Sequence, residues 1–208
     1  VPGAPAAWAE LAKCFGKLPL VKTLEPAIRY AEKGYPVSPC IAKFWRSYFN
    51  DAAKVLKHEQ YTNFFETFSI NGNAPEAGQI WRCNDLSETL ISLAESNGES
   101  FYRGNLADKI HAFSKKYGGY ISGDDLEEYE PEWVEPININ YRGYDVWEIP
   151  PNGQGLVALM ALNILKGFEF HSREDPDTCH KQLEAMKLAF ADGSKYITDS
   201  KYMNVKVQ

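Results

Sequence analysis

Some residue groupings in the 208-residue chain have types and spacing that could do chemistry. The stretch IPPNGQGL, from Ile149 to Leu156, sets Gly153, Gly155 and Ala158 in a G-x-G-x-x-[GA] pattern. Glycines so placed let a turn approach a pyrophosphate resting on a helix N-terminus, where unpaired N–H groups favour negative charge. Glu174 and Asp175 follow about twenty residues on, where an acid that binds the ribose is wanted. The acidic run from Asp124 to Glu135 could supply the protonated and ionised carboxyl pair of a glycosidase. Cys179 beside His180 has the composition of a nucleophile and its base.

Each grouping meets a physical objection. Neighbours on a helix point roughly 100° apart, so Cys179 and His180 cannot share a proton directly. Acidic residues early in a helix match its positive end, so the run 124–135 reads as a solvated face. His58, His111, His171 and His180 include no pair at the four-residue spacing that puts two imidazoles on one helix face, and no metal site is expected. A parallel strand covered on both faces is a near-continuous apolar run, whereas YDVWEI carries Asp145 and Glu148. Pro150 and Pro151 then separate that strand from the glycines, and no further strand–helix–strand units follow, so a dinucleotide cofactor is not expected either.

The elements that must position these residues follow from periodicity and punctuation. Trp8, Leu11, Ala12 and Phe15 predict a helix from Ala4 to Phe15, with a left-handed stop at Gly16. Leu24, Ala27, Ile28 and Ala31 predict a second, with Pro26 in its first turn and Gly34 at its end. Ser38 and Pro39 read as N-cap and first helical residue of a third, whose apolar face from Ile41 to Leu56 should be well buried. The stretch from His58 to Gly78 is ambiguous. Asn84 or Asp85 caps the next helix, closed by Asn97 and Gly98, and Asn105 starts another that stops at Gly118. Ser122 and Asp125 offer a capping-box variant. Ile137, Ile139 and Tyr141 then alternate with asparagines, and Arg142-Gly143 separates two strand-like runs, which predicts a hairpin. Helical spacing resumes from Leu156 to Leu165 and from about Asp177. The expected fold class is α+β, mostly helical with a small β-hairpin: helices over about 4–128, the hairpin over about 134–149 and helices over about 153–197.

Composition removes several function classes. A net charge of −6 and pI near 5.3, with no basic stripe, argue against nucleic-acid binding through phosphates. The longest near-uncharged run, Leu156 to Leu165, falls short of the roughly 20 apolar residues of a membrane span. Cys14, Cys40, Cys83 and Cys179 form no C-x-x-C pair and are expected to be buried free thiols. The chain opens at Val1 without a basic and then apolar leader, so the compartment is not legible.

Several motifs in order carry more than any single grouping. VPG at Val1–Gly3, LEPAIRYAEKGYPV at Leu24–Val37, LISLAESNGESFYRG at Leu90–Gly104, KYGGYISGDDLEEY at Lys116–Tyr129, YRGYDVWEIPP at Tyr141–Pro151, LNIL at Leu162–Leu165 and EAMKLAFAD at Glu184–Asp192 resemble the γ-glutamyltransferase (γ-glutamyltranspeptidase, glutathione hydrolase) family. They match the central part of its large subunit, and only about 56–79 lacks a counterpart. The resemblance implies a fragment of an αββα N-terminal-nucleophile hydrolase fold, with residues 1–208 as a single partial domain. It also implies a precursor that cuts itself and exposes a threonine at the start of the small subunit. That threonine takes the γ-glutamyl group from amides such as glutathione and passes it to water or an amino acid.

Thr23, Thr62, Thr67, Thr89, Thr178 and Thr198 all lie outside any likeness to the family's nucleophile motif. The nucleophile is therefore expected beyond Gln208, and the arginine that grips the donor's α-carboxylate before Val1. The resemblance therefore places no catalytic, cofactor-binding or metal-binding residue within 1–208, and the segment alone is expected to be inactive. Implied partners are the small subunit, the remaining large-subunit residues and a small γ-glutamyl substrate, with self-association of the isolated segment. Where the family's main branch carries paired serines and glycines after the double proline, Asn152, Gly153, Gln154 and Gly155 follow, which looks like the acylase-like branch. The alternative is a free-standing helical binding module without catalysis, motivated by the 13% aromatic content.

Overall fold

The computed structural model describes residues 1–207. Its backbone divides into two compact units, Val1–Pro131 and Glu132–Gln208.

The first unit opens with α1 (Ala4–Phe15), which has the expected bounds. Gly16 is not left-handed, with φ −69° and ψ 135°. Its role is close approach: a Cβ there would sit 2.2 Å from the Ala12 carbonyl oxygen that its own N–H bonds. Helix α2 (Leu20–Lys33) starts earlier than its apolar spacing indicates, because the Pro19 carbonyl already accepts from the N–H groups of Lys22 and Thr23. Pro26 consequently lies inside the helix rather than in its first turn. Packing of α2 against α5 (Asn84–Glu95) outweighs the backbone bond that the proline cannot donate. Gly34 ends α2 at φ 83°, as expected.

Helix α3 (Pro39–Val55) begins as its sequence dictates, the Ser38 hydroxyl accepting from the Ile41 N–H at 3.3 Å. Its apolar face is not well buried. Ala42 and Phe49 are covered, while Phe44 is 59% and Tyr48 74% exposed. The covered side packs on an aromatic cluster in which Trp45 and Trp81 lie 5.1 Å apart, and the Trp45 indole donates to the Phe68 carbonyl. The ambiguous stretch holds a 3-10 turn (Glu59–Tyr61), helix α4 (Thr62–Thr67) and a tight turn in which Ile70 and Asn73 exchange backbone bonds. Asn71 and Gly72 take φ 52° and 80° there, the conformation for which Asn-Gly is suited. A short ladder also escapes the sequence: β1 (Tyr35–Pro36) pairs antiparallel with β2 (Ile80–Trp81).

Cys83, not Asn84 or Asp85, stands before α5, without a side-chain cap. Asn97 and Gly98 end that region with positive φ, and the short α6 (Glu99–Arg103) follows at once. Helices α7 (Asn105–Lys116) and α8 (Gly123–Glu127) complete a core centred on the fully buried Leu126, with Ala6, Tyr102 and Ala107. The Tyr102 hydroxyl donates to the Pro2 carbonyl at 2.8 Å and accepts from the Ala6 N–H at 3.2 Å, fixing the entry to α1.

The capping box of α8 is present, with Ser122 and Asp125 bonding each other's backbone N–H groups. The hydroxyl and backbone N–H of Ser122 hold the Asp125 carboxyl below the usual carboxylate range. A depressed native value means that the contribution is complete above the unfolded value and lost as pH falls through the native one. Acid titration followed by amide NMR should therefore show α8 loosening only below about pH 4. The same titration of Asp125→Asn should show no such step; a step that persists removes Asp125 as its source.

The second unit begins with an antiparallel hairpin of β3 (Ile137–Tyr141) and β4 (Tyr144–Glu148), in the expected place. Ile137 faces Glu148, Ile139 faces Val146, and Tyr141 faces Tyr144 across a turn whose Arg142 and Gly143 both have positive φ. The Arg142 guanidinium donates to the Phe168 carbonyl and lies over the Phe170 ring. Helix α9 (Gly155–Leu165) packs on the hairpin and on α10 (Pro176–Tyr196) through Val157, Ala161 and Ala189. The cysteines are free but not buried: Cys14, Cys40 and Cys179 are exposed and Cys83 half-buried. Cys14, Cys40 and Cys179 sit on outward helix faces, while Cys83, just before α5, packs against Val37, Ala42 and Trp81.

Candidate functional site

The glycine stretch joins β4 to α9. Gly153 meets no atom within 4 Å of where a Cβ would stand, so nothing steric requires glycine there. Gly155, the first residue of α9, does require it: a Cβ would sit 2.5 Å from Glu148 Oε2 and 2.8 Å from the Glu148 Cβ. The close backbone approach that the fingerprint reserves for a pyrophosphate is made here to the chain's own strand. The Glu148 carboxylate thus stands at the positive end of α9, where an incoming phosphate would meet like charge. Asp175 is engaged elsewhere, as the N-cap of α10 accepting from the Asp177 N–H, and the Glu174 N–H bonds the Ser172 hydroxyl.

The acidic run is divided among structural duties. Asp125 caps α8, and Glu130 pairs at 2.6 Å with Arg103, which also bonds Glu99 and the Tyr129 carbonyl. Those carboxylates hold Arg103 above its ordinary value, through the Glu99 hydrogen bond first. Asp124, Glu127 and Glu128 are exposed, as are Glu132 and Glu135 in the second unit. Cys179 and His180 are both exposed on α10, and the thiol faces the Arg173 carbonyl at 3.9 Å.

His111 is more sheltered, its Nδ1 buried without a hydrogen-bond partner among the described residues. It lines a cavity of about 280 Å³ with Asp108, Asp124 and Glu127. Among the described residues, however, no three His, Cys, Asp or Glu side chains come together to hold a metal ion. No helix among them is long and apolar enough to cross a membrane. The structure therefore brings together none of the candidate pairs that sequence proximity suggested. What sequence reasoning missed is the Tyr102 and Arg103 pair of anchors, whose signal was FYRG inside a family motif.

The sequence model of the gamma-glutamyltranspeptidase family matches residues 1–208. The chain belongs to this family. It is 32% identical over 210 residues to the glutathione hydrolase-like YwrD proenzyme of Bacillus subtilis (strain 168), covering all of this chain and 39% of that protein. Its structure superposes on a cephalosporin acylase from Bacillus halodurans with a TM-score of 0.94 and 60% identity, covering 100% of this chain and 39% of that one. A gamma-glutamyltranspeptidase from Helicobacter pylori gives a TM-score of 0.84 at 29% identity, covering 99% of this chain and 58% of the other. The chain thus spans about two fifths of the length of the proenzyme it matches.

In this family member the shared motifs fall on its framework. Leu24–Val37 forms most of α2 with β1, Leu90–Gly104 the end of α5 with α6, Tyr141–Pro151 the hairpin's turn and second strand, and Glu184–Asp192 the middle of α10. The stretch 56–79, where no motif is expected, is the 3-10 turn, α4 and the Asn-Gly turn, and the family match runs through it.

Proposed function

We propose that the chain is the central part of the large subunit of a γ-glutamyltransferase-type proenzyme, a single partial domain of an αββα N-terminal-nucleophile hydrolase. The observation that carries this reading is the family match over residues 1–208, together with the greater length of the relatives. In the proposed reaction a threonine hydroxyl supplied by the small subunit attacks the γ-glutamyl carbonyl. Its proton passes to the threonine's own α-amino group and on to the leaving amine as the C–N bond breaks. Water or an acceptor amine then attacks the resulting ester and restores the threonine. The residues described here hold the framework around that centre and supply none of its reacting groups.

Leu183, Leu188 and Phe190 on α10 stand exposed, as do Trp147 and Ile149 at the hairpin. Apolar side chains in such number support coverage by the remaining large subunit and the small subunit, and self-association of the segment when it is alone. The test is turnover of a γ-glutamyl anilide. The complete processed protein should release the aniline, and residues 1–208 by themselves should not; release by the segment alone overturns the assignment. A free-standing binding module predicts no release from either preparation.

The acylase branch is a second reading, favoured by 60% identity to the cephalosporin acylase and by Asn152 and Gln154 in place of serines. Under it the complete protein deacylates an acylated β-lactam faster than it cleaves the γ-glutamyl anilide.

A further inference from the structure

The structure contains a polar groove that the proposed reaction does not use. It measures about 440 Å³ and lies between α3 and the Ile70–Gln79 stretch, with the buried Phe49 at its floor. Arg46, Asn50, Asn71, Asn73, Glu76 and Gln79 line it. Its walls are held by backbone bonds. Ile70 and Asn73 close the Asn-Gly turn, the Val37 N–H donates to the Gln79 carbonyl at 2.9 Å, and the Gly78 N–H donates to the Val37 carbonyl at 2.8 Å. The Gln79 side-chain oxygen accepts from the Glu76 N–H, which fixes the Glu76 backbone.

Among the described residues the charged tips have no partner. Among the described residues, Arg46 makes no hydrogen bond, ion pair or ring contact, whereas Arg103 bridges Glu99 and Glu130 and Arg142 is stacked and bonded. The Glu76 carboxylate is likewise unpaired, and the two do not pair with each other although they line one groove. One guanidinium on α3 and one carboxylate on the facing stretch, in a lining that also carries amides, present the complement of a small zwitterion. The guanidinium fork suits a carboxylate, the Glu76 oxygens suit an ammonium, and the amides can accept or donate to either.

We propose that this groove binds a free α-amino acid, its carboxylate on Arg46 and its ammonium on Glu76. The site is separate from the proposed acyl-transfer centre, and its occupancy does not depend on that reading.

The test is equilibrium dialysis of the complete protein with labelled L-alanine, beside N-acetyl-L-alanine and L-alaninamide. Hydrogen bonds to charged groups contribute about 1.5–3 kcal/mol, so Arg46→Ala and Glu76→Gln should each weaken alanine binding by about tenfold or more. Both blocked derivatives should bind at least about tenfold more weakly than alanine, by the same reckoning. Both side chains are exposed, and an unchanged melting temperature confirms that each variant folds. Alanine binding that survives both substitutions belongs elsewhere and overturns the proposal, as does no detectable binding. Equal binding of N-acetyl-L-alanine makes the groove a plain anion site and overturns it too.

Discussion

Replacing Tyr102 by alanine is expected to destabilise the first unit by about 3–5 kcal/mol, the range for removing a large aromatic from a core. Tyr102 is 3% exposed, stacks on Tyr129 with ring centroids 5.1 Å apart and packs with Leu126. Two effects add in this residue, and a second variant separates them. Tyr102→Phe keeps the ring but leaves the Pro2 carbonyl and Ala6 N–H without their partner, which costs about 1–3 kcal/mol when such groups remain buried. Urea unfolding with a probe in the first unit measures both. If Tyr102→Phe is neutral, the hydroxyl does not hold the start of α1, and the packing alone accounts for the loss.

The second large effect concerns Gly155. Gly155→Ala should cost about 1–3 kcal/mol, as overpacking does, because the new methyl group overlaps the Glu148 side chain down to its Cβ. A flexible carboxylate can swing aside, but a Cβ moves only with its backbone, so α9 must shift against β4. The argument predicts coupling: in a Glu148→Gly background the same alanine should cost almost nothing. Additive costs in that double-mutant cycle would show that glycine at position 155 answers to something other than Glu148.

How much of this was legible depends on the range of the interaction that decides each feature. The α8 box and the hairpin turn at Arg142-Gly143 are chosen by residues within three or four positions, and both stand where spacing put them. The β1–β2 ladder joins Tyr35 to Trp81 by two-residue strands, too short for any alternation to register. The start of α2 is not legible locally, because Pro26 by itself marks a first turn whereas packing on α5 lets the helix run through it from Leu20. Burial of α3 and of the cysteines failed for the same reason: an apolar stripe states that a face can be covered, not by what. At the candidate site, proximity in sequence misled in the opposite direction. Cys179 and His180 are neighbours in the chain and face apart, while Gly155 and Glu148, seven positions apart, touch. The ordered motifs were informative because they sample the framework at many distant points at once.

The tryptophans give the two units separate optical signatures. Trp45 and Trp81 sit edge to face, with Trp81 only 8% exposed, so emission from the first unit carries a component shielded from water and the pair can couple in its circular dichroism. In the second unit Trp133 and Trp147 are both more than half exposed, and their emission is open to a soluble quencher. Trp8 on α1 is 45% exposed and would add to the quenchable signal, so in a Trp8→Phe variant a quenching titration during unfolding can follow each unit in one sample without an added dye. Loss of the coupled band reports the aromatic cluster beneath α3, while the fully quenchable fraction reports the hairpin side.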